Sequence, residues 1–195
     1  NTLNYLRPLA EAGLGLPNDV TLKDSIVSLD FALNRYKGSL EGASIDLSDK
    51  LGTEAIEVNQ IMRLINRELG INLSDESLAF VSQSDSVPVQ VKFSASNDLT
   101  ENTAKKLGDL GFNQVVGEMN VKSSVKIITQ TDLDLSNAKI KGAAKVEELV
   151  SIIDSGNENL LDGVNLYENS EADLITAKKL LSVDANKLDL NGLVL

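Results

Sequence analysis

Leu133-Asp134-Leu135, Leu161-Asp162-Gly163 and Leu188-Asp189-Leu190 are three copies of one short phrase, recurring at nearly equal intervals. Between the phrases, residues 143–155 and 172–183 carry apolar side chains at helical spacing. Residues 133–195 therefore read as a strand, a turn and a helix, repeated. The same alternation occurs upstream. Ile45-Asp46-Leu47-Ser48 and Ile71-Asn72-Leu73-Ser74 stand at almost the same interval, with the clearest helix of the chain between them, over 53–69. In that helix Val58, Ile61, Met62, Ile65 and Leu69 form one apolar stripe, and Gly70 stands where a left-handed cap is wanted. Thr103-Ala104-Lys105-Lys106-Leu107 returns as Thr176-Ala177-Lys178-Lys179-Leu180, both times inside a predicted helix.

The remaining segments fit around these. Residues 3–12 have helical spacing, with Pro8 tolerated best in a first turn. Thr21 and Asp24 have the spacing of a capping box, opening a helix that carries Ile26, Leu29, Leu33 and Tyr36 and ends near Gly38. Residues 44–47 are short and extended. Residues 87–95 are the cleanest strand, with Val87, Val89, Val91, Phe93 and Ala95 alternating with polar neighbours. Asp98 is the expected N-cap of a helix over 100–110 that ends at Gly111. Residues 112–116 and 118–129 read as further strands, with Gly117 a turn or bulge between them.

The expected fold is α/β, with five or six strand–helix units in a solenoid-like stack. Helical crossovers imply parallel pairing, and one unit alone cannot bury its apolar stripe. The alternative is a single α+β domain with a mixed sheet centred on residues 87–95. The stack spans 1–195 as one repeat-type domain cut from a longer chain, or two sub-units, 1–81 and 82–195.

Composition narrows the function. Hydrophobic residues make up 42% of the chain, but aromatics only 4% with no Trp, so the core is built of Leu, Ile, Val and Ala. The formal charge of −11, with no run of Lys or Arg longer than two, argues against nucleic acid as a partner. The absence of Cys and His removes disulfides, thiol chemistry, His-based triads and Cys- or His-ligated zinc. No apolar run approaches the roughly 20 residues of a membrane span.

Two resemblances follow. Leu133-Asp134-Leu135-Ser136-Asn137 and Leu188-Asp189-Leu190-Asn191 resemble the L-x-L-x-x-N core of leucine-rich repeats, although the Asn falls one or two places early. That departure withholds the family's binding face from this chain. The acidic, Cys-free, Trp-free composition with degenerate repeats is similar to segments of large bacterial cell-surface proteins, of the S-layer or giant-adhesin type. This resemblance implies an extracellular or cell-surface location.

The candidate chemistry is sparse. Asp132 and Asp134, and again Asp184 and Asp189, cluster with Ser and Asn as hard oxygen ligands suited to calcium. Neither cluster fits the EF-hand loop, and turn chemistry explains the same residues. Glu147 beside Glu148, and Glu54 with Glu57, are the carboxylate pairs a glycosidase would use; on helices they read as solvated surface. The lysine pairs 105–106 and 178–179 read as exposed helix faces. No phosphate-binding loop occurs. The function expected is a non-enzymatic structural or adhesive module, with itself or other surface proteins as partners and calcium as the only cofactor considered. The alternatives are a peptide- or glycan-binding module and an Asp/Glu-dependent hydrolase.

Overall fold

A computed structural model describes residues 2–14, 21–23, 31, 35, 44–46, 55–65, 90–109 and 112–195. The chain is mixed α/β with parallel sheets. It divides into two compact units: Asn1–Gln90 with Asp109–Phe112, and Val91–Gly108 with Asn113–Leu195. Among the described residues no helix is long and apolar enough to cross a membrane.

In the first unit, helix α1 (Thr2–Glu11) contains Pro8, whose carbonyl accepts from the amide of Ala12. Strands β1 (Thr21–Lys23) and β2 (Ser44–Asp46) pair in parallel, Thr21 beside Ser44 and Leu22 beside Ile45. Thr21 therefore opens a strand and not a helix, contrary to the capping-box reading. The run Thr-Leu-Lys satisfies its backbone from β2 instead. Phe31 and Arg35 are helical, as the apolar stripe predicts for this region, while Tyr36 lies outside the described residues. Strand β3 (Ile56–Glu57) precedes helix α2 (Val58–Ile65), where Val58 and Ile61 are buried and Met62 half-buried. Glu57 thus sits on a strand, so its expected helical pairing with Glu54, which lies outside the described residues, does not hold. The segments 71–74 and 87–89 also lie outside them.

The second unit alternates strands and helices with little interruption. Its elements are β4 (Gln90–Phe93), α3 (Glu101–Asp109), β5 (Gln114–Asn120), α4 (Val121–Gln130), β6 (Asp134–Lys141), β7 (Ala143–Ala144), α5 (Val146–Asp154), a 3-10 turn (Glu158–Leu160), β8 (Val164–Leu166), β9 (Ser170–Glu171), α6 (Leu174–Leu181), β10 (Leu188–Asp189) and β11 (Leu193–Val194). Strand β5 lies between β4 and β6, and β8 between β10 and β7. The pairings β5–β6, β7–β8, β8–β10 and β9–β11 are all parallel, and Ile140 forms a parallel bridge to Leu161.

Partners are separated by a nearly constant offset along the chain. Thr21 pairs with Ser44, Glu118 with Lys139, Ile140 with Leu161, Ala143 with Asn165, Val164 with Leu188 and Ser170 with Leu193. Every offset is close to two dozen positions, the length of one strand–helix unit. The repeated Leu-Asp phrases are not pairing partners. Leu161 meets Ile140 and not Leu133, and Leu188 meets Val164 and not Leu161.

The four helices of this unit share one internal frame. Thr100, Asn120 and Asp173 each accept the amide of the third following residue, Thr103, Ser123 and Thr176, through a side-chain oxygen. At α5 the bond is reversed, and the amide of Lys145 donates to the Glu148 carboxylate. These contacts satisfy amides that a helix start leaves without partners. Counting from each cap, the fourth and seventh residues are buried: Ala104 and Leu107, Ser124 and Ile127, Leu149 and Ile152, Ala177 and Leu180. The duplicated Thr-Ala-Lys-Lys-Leu thus occupies the same place in α3 and α6. Thr100, not Asp98, caps α3. Leu149, Ile152 and Leu180 join Val121, Ile140, Ala144, Leu161, Val164, Leu166 and Leu188 in one core between helices and strands.

Two further corrections fall here. Residues 121–130 are helical, not a strand; their β-branched residues suggest strand, but Val121, Ser124 and Ile127 are buried at helical spacing and Asn120 supplies the cap. Gly117 does not end a strand but lies within β5 at φ +90°, where a Cβ would collide with the Phe93 carbonyl oxygen. It allows backbone to approach backbone.

Candidate functional site

The two aspartate clusters singled out for calcium lie apart, Asp132 and Asp134 at the start of β6, Asp184 and Asp189 before and in β10. Asp134 opens β6 beside Gln114, and Asp189 lies in β10 beside Asn165; β6 and β10 are not neighbours in any sheet. Between Gln114 and Val116 the register slips, so two steps on β5 oppose three on β6, from Asp134 to Asn137. The Asp134 carboxylate secures this bulge. One oxygen accepts the Ser136 amide at 2.8 Å; the other accepts the Ser136 hydroxyl at 3.0 Å and Gln114 Nε2 at 2.9 Å. These bonds, the Ser136 amide first, hold the carboxyl below its ordinary pKa. Asp184 and Asp189 make the same local turn, accepting the amides of Asn186 and Asn191, both at 2.9 Å. Asp132 is exposed just before β6. Among the described residues no group of three or more Asp or Glu side chains converges on a point where a metal could sit. The turns at Asp134, Asp184 and Asp189 are Asx turns.

The carboxylate pair Glu147–Glu148 splits in two directions. Glu148 accepts the Lys145 amide, and Glu147 Oε1 lies 3.8 Å from Lys145 Nζ. In the lysine pairs, Lys105, Lys106 and Lys178 are exposed, whereas Lys179 reaches from α6 to Asp154 on α5 at 2.6 Å.

What the second unit assembles is a set of polar links from each strand–helix unit to the next. The first joins the loop after β4 to the start of α4. Asn120 Nδ2 donates to the carbonyls of Ala95 and Asn97 and to Asp98 Oδ1, while its Oδ1 accepts the Ser123 amide. The buried Ser123 hydroxyl donates to the Asn97 carbonyl at 2.7 Å and accepts the Leu99 amide at 3.1 Å. Asn97 in turn closes its own loop by accepting the Ser94 amide. Asn is suited to this place because its amide donates and accepts at once.

The second link is ionic and runs from β5 across β6 to the residue after an isolated bridge. Glu118 on β5 holds Lys141 on β6 at 2.7 Å, and Asp162, just after the Ile140–Leu161 bridge, lies 3.4 Å from Lys139 and 3.5 Å from Lys141. Bonding to Glu118 raises the pKa of Lys141, and bonding to Lys139 lowers that of Asp162. These groups are solvated, so the array fixes register more than it adds stability. A third link runs from Lys187 Nζ to Asn159 Oδ1 at 3.1 Å. The Asn97–Asn120–Ser123 network was not singled out from sequence, although Asn120-Val121-Lys122-Ser123 carries the spacing of an Asn cap.

Helix α6 carries an exposed apolar face. Leu174, Ile175 and Leu181 of α6 are 63%, 78% and 66% exposed, and Val194 and Leu195 are also exposed. No protein-family model matches the chain, and no curated protein matches it.

Proposed function

We propose that the chain is a structural or adhesive module of a large extracellular bacterial surface protein, acting by self-association or surface attachment. The observation that carries this reading is the recurrence of parallel pairing at one nearly constant offset, in the first unit as in the second. Strand–helix units joined in that way form a solenoid-like stack, in which each unit covers the apolar side of its predecessor. Polar groups of the second unit are occupied in holding turns and joining strand–helix units: Asp134, singled out for calcium, a bulge, Asp173 a cap, Glu118 and Asp162 a charge ladder. A stack of this kind serves as a stiff element that presents its faces and ends to neighbours, and exposed strand edges accept further strands.

Sedimentation velocity over a wide range of protein concentration, first with calcium and then with chelator, tests the reading. Growth of the sedimenting species with concentration is expected, and calcium-dependent compaction would add a metal to the assembly. A chain that sediments as the same monomer throughout sinks self-association as the mechanism.

A further inference from the structure

We infer that Asn191 is a site of spontaneous main-chain modification, where the Gly192 amide nitrogen closes on the Asn191 side chain and converts it to aspartate and isoaspartate. The site does not depend on whether the chain associates. Asn191-Gly192 is the one Asn-Gly pair in the sequence. An asparagine reacts in this way when the nitrogen of the next residue is unhindered, and glycine, with no Cβ, hinders it least. The fold then decides which asparagines keep the freedom to react.

Residues 190–193 form a turn, the Leu193 amide donating to the Leu190 carbonyl at 2.9 Å. Asp189 Oδ1 accepts the Asn191 amide, also at 2.9 Å. Neither bond uses the reacting groups. Among the described residues nothing bonds to the Gly192 amide or to the Asn191 side chain, and Asn191 is exposed. Other asparagines of the second unit lack one of these conditions. Asn97 is buried, and Asn120 commits its side-chain amide to Ala95, Asn97 and Asp98. Asn169 is exposed at φ +58° and precedes the small Ser170, but the Ser170 amide is held by the Gly192 carbonyl at 2.8 Å. The exposure of Asn191 belongs to its place in the strand–helix unit. Its counterparts one unit earlier, Tyr167 and Glu168, are exposed although the Gly192 backbone lies directly against them.

The Gly192 nitrogen gives up its proton and bonds to Asn191 Cγ, and the Cγ–Nδ2 bond breaks to release ammonia. Water then opens the cyclic imide at either carbonyl. One product is aspartate. The other, isoaspartate, routes the main chain through Cγ and lengthens it by a carbon. Each product adds a negative charge. The extra carbon falls where the chain has no slack. The Gly192 carbonyl accepts the Ser170 amide, the Val194 carbonyl accepts the Ala172 amide, and even a Cβ on Gly192 would collide with the Tyr167 carbonyl oxygen. Isoaspartate at 191 therefore loosens β11 from β9, whereas aspartate, which keeps the main chain, leaves their pairing intact.

The test holds the full chain, native and urea-unfolded, in mildly alkaline buffer and maps it by trypsin digestion and mass spectrometry. Cleavage after Lys187 yields a peptide that begins at Leu188 and carries Asn191. In the native chain Asn191 should convert ahead of every other asparagine of the second unit, and Asn169 only after unfolding. A native chain in which Asn191 persists while the unfolded chain reacts overturns the site, because the fold then protects it. Asn191 that persists in both, or another asparagine of the unit that converts first in the native chain, overturns it as well. The isoaspartyl chain, separated by chromatography, is then compared with Asn191→Asp by hydrogen exchange. The Ser170 and Ala172 amides should exchange about tenfold faster in the isoaspartyl chain and at the wild-type rate in Asn191→Asp. Unchanged protection in the isoaspartyl chain overturns the loosening of β11. Equal acceleration in Asn191→Asp overturns main-chain lengthening as its cause.

Discussion

Helices α4 and α6 are built on one frame and end in opposite circumstances. Each starts at an Asn or Asp whose side chain accepts the amide three residues on, and each buries the fourth and seventh residues after that cap. Yet Val121 is covered and Leu174 is open, and Asn120 ties two units together where Asp173 bonds only within its own helix. The cap and the inward pair make the helix; the neighbours decide what its outer face means. The same local sequence logic thus gives a covered outer face in one case and an exposed one in the other.

The inward positions give the largest contrast. Ile127→Ala should cost about 4 kcal/mol, because structure on both sides holds the cavity open. Leu180→Ala should cost about 2–3 kcal/mol, because the flank of α6, exposed at Leu174, Ile175 and Leu181, can relax inward. Urea denaturation measures both, and equal losses would erase the distinction between a covered and an exposed helix. Glycines come next. Gly117→Ala puts a Cβ on the Phe93 carbonyl at positive φ and should cost about 3 kcal/mol. Gly163, at φ +68° with open space around it, should lose only about 1 kcal/mol on the same change.

The outer positions follow. Val121→Ser should cost about 2 kcal/mol, and Leu174→Ser should stay within about 0.5 kcal/mol, because Val121 is 1% exposed and Leu174 63%. The caps are smaller still. Asn120→Ala should cost about 1–2 kcal/mol, since it removes a cap and the donors to Ala95, Asn97 and Asp98 together. Asp173→Ala loses only a solvated cap, and a Tm shift as large as that of Asn120→Ala would contradict the assignment. The smallest effect is on pH dependence. Asp134, Asp162 and Asp173 have folded-state pKa values below the ordinary carboxylate value of 3.8. Their stabilisation is present above that value and is lost as pH falls through the lowered folded values. Asp134→Asn should therefore lower stability by a constant amount near neutrality and flatten the curve below about pH 4, where wild type and variant converge.

Much of this frame was legible in the sequence. The helices at 58–65, 101–109, 146–154 and 174–181, the strand at 90–93 and the matched Thr-Ala-Lys-Lys-Leu segments all follow from apolar spacing. The pairing offset was not. The Leu-Asp phrases mark different places in their units: Leu133 precedes a long strand, Leu161 is a single bridge residue and Leu188 opens a strand of two. Loop lengths vary as well, so the caps at Thr100, Asn120, Lys145 and Asp173 are unevenly spaced, while the strands keep close to their common offset. Residues 121–130 misled because β-branched residues favour strand by propensity, and burial at helical spacing overrode that preference. The aspartates were read for chemistry as well as for turns because an Asx turn and a hard-ligand cluster draw on the same residue types. The exposure of Leu174 and Leu181 could not be read at all, because it depends on what lies against the helix.

The register of parallel pairing is tested most directly by disulfide trapping, which the Cys-free chain permits without background. Lys141→Cys combined with Asp162→Cys places thiols where an ion pair already joins β6 to the residue after the Ile140–Leu161 bridge. Asp134→Cys combined with Asp162→Cys places them at the spacing of the repeated phrase. Rapid oxidation of the first pair to an internally cross-linked monomer, seen on non-reducing gels, and none of the second is the predicted result. Cross-linking of the second pair in preference to the first would contradict the parallel pairing of β6 with the following unit.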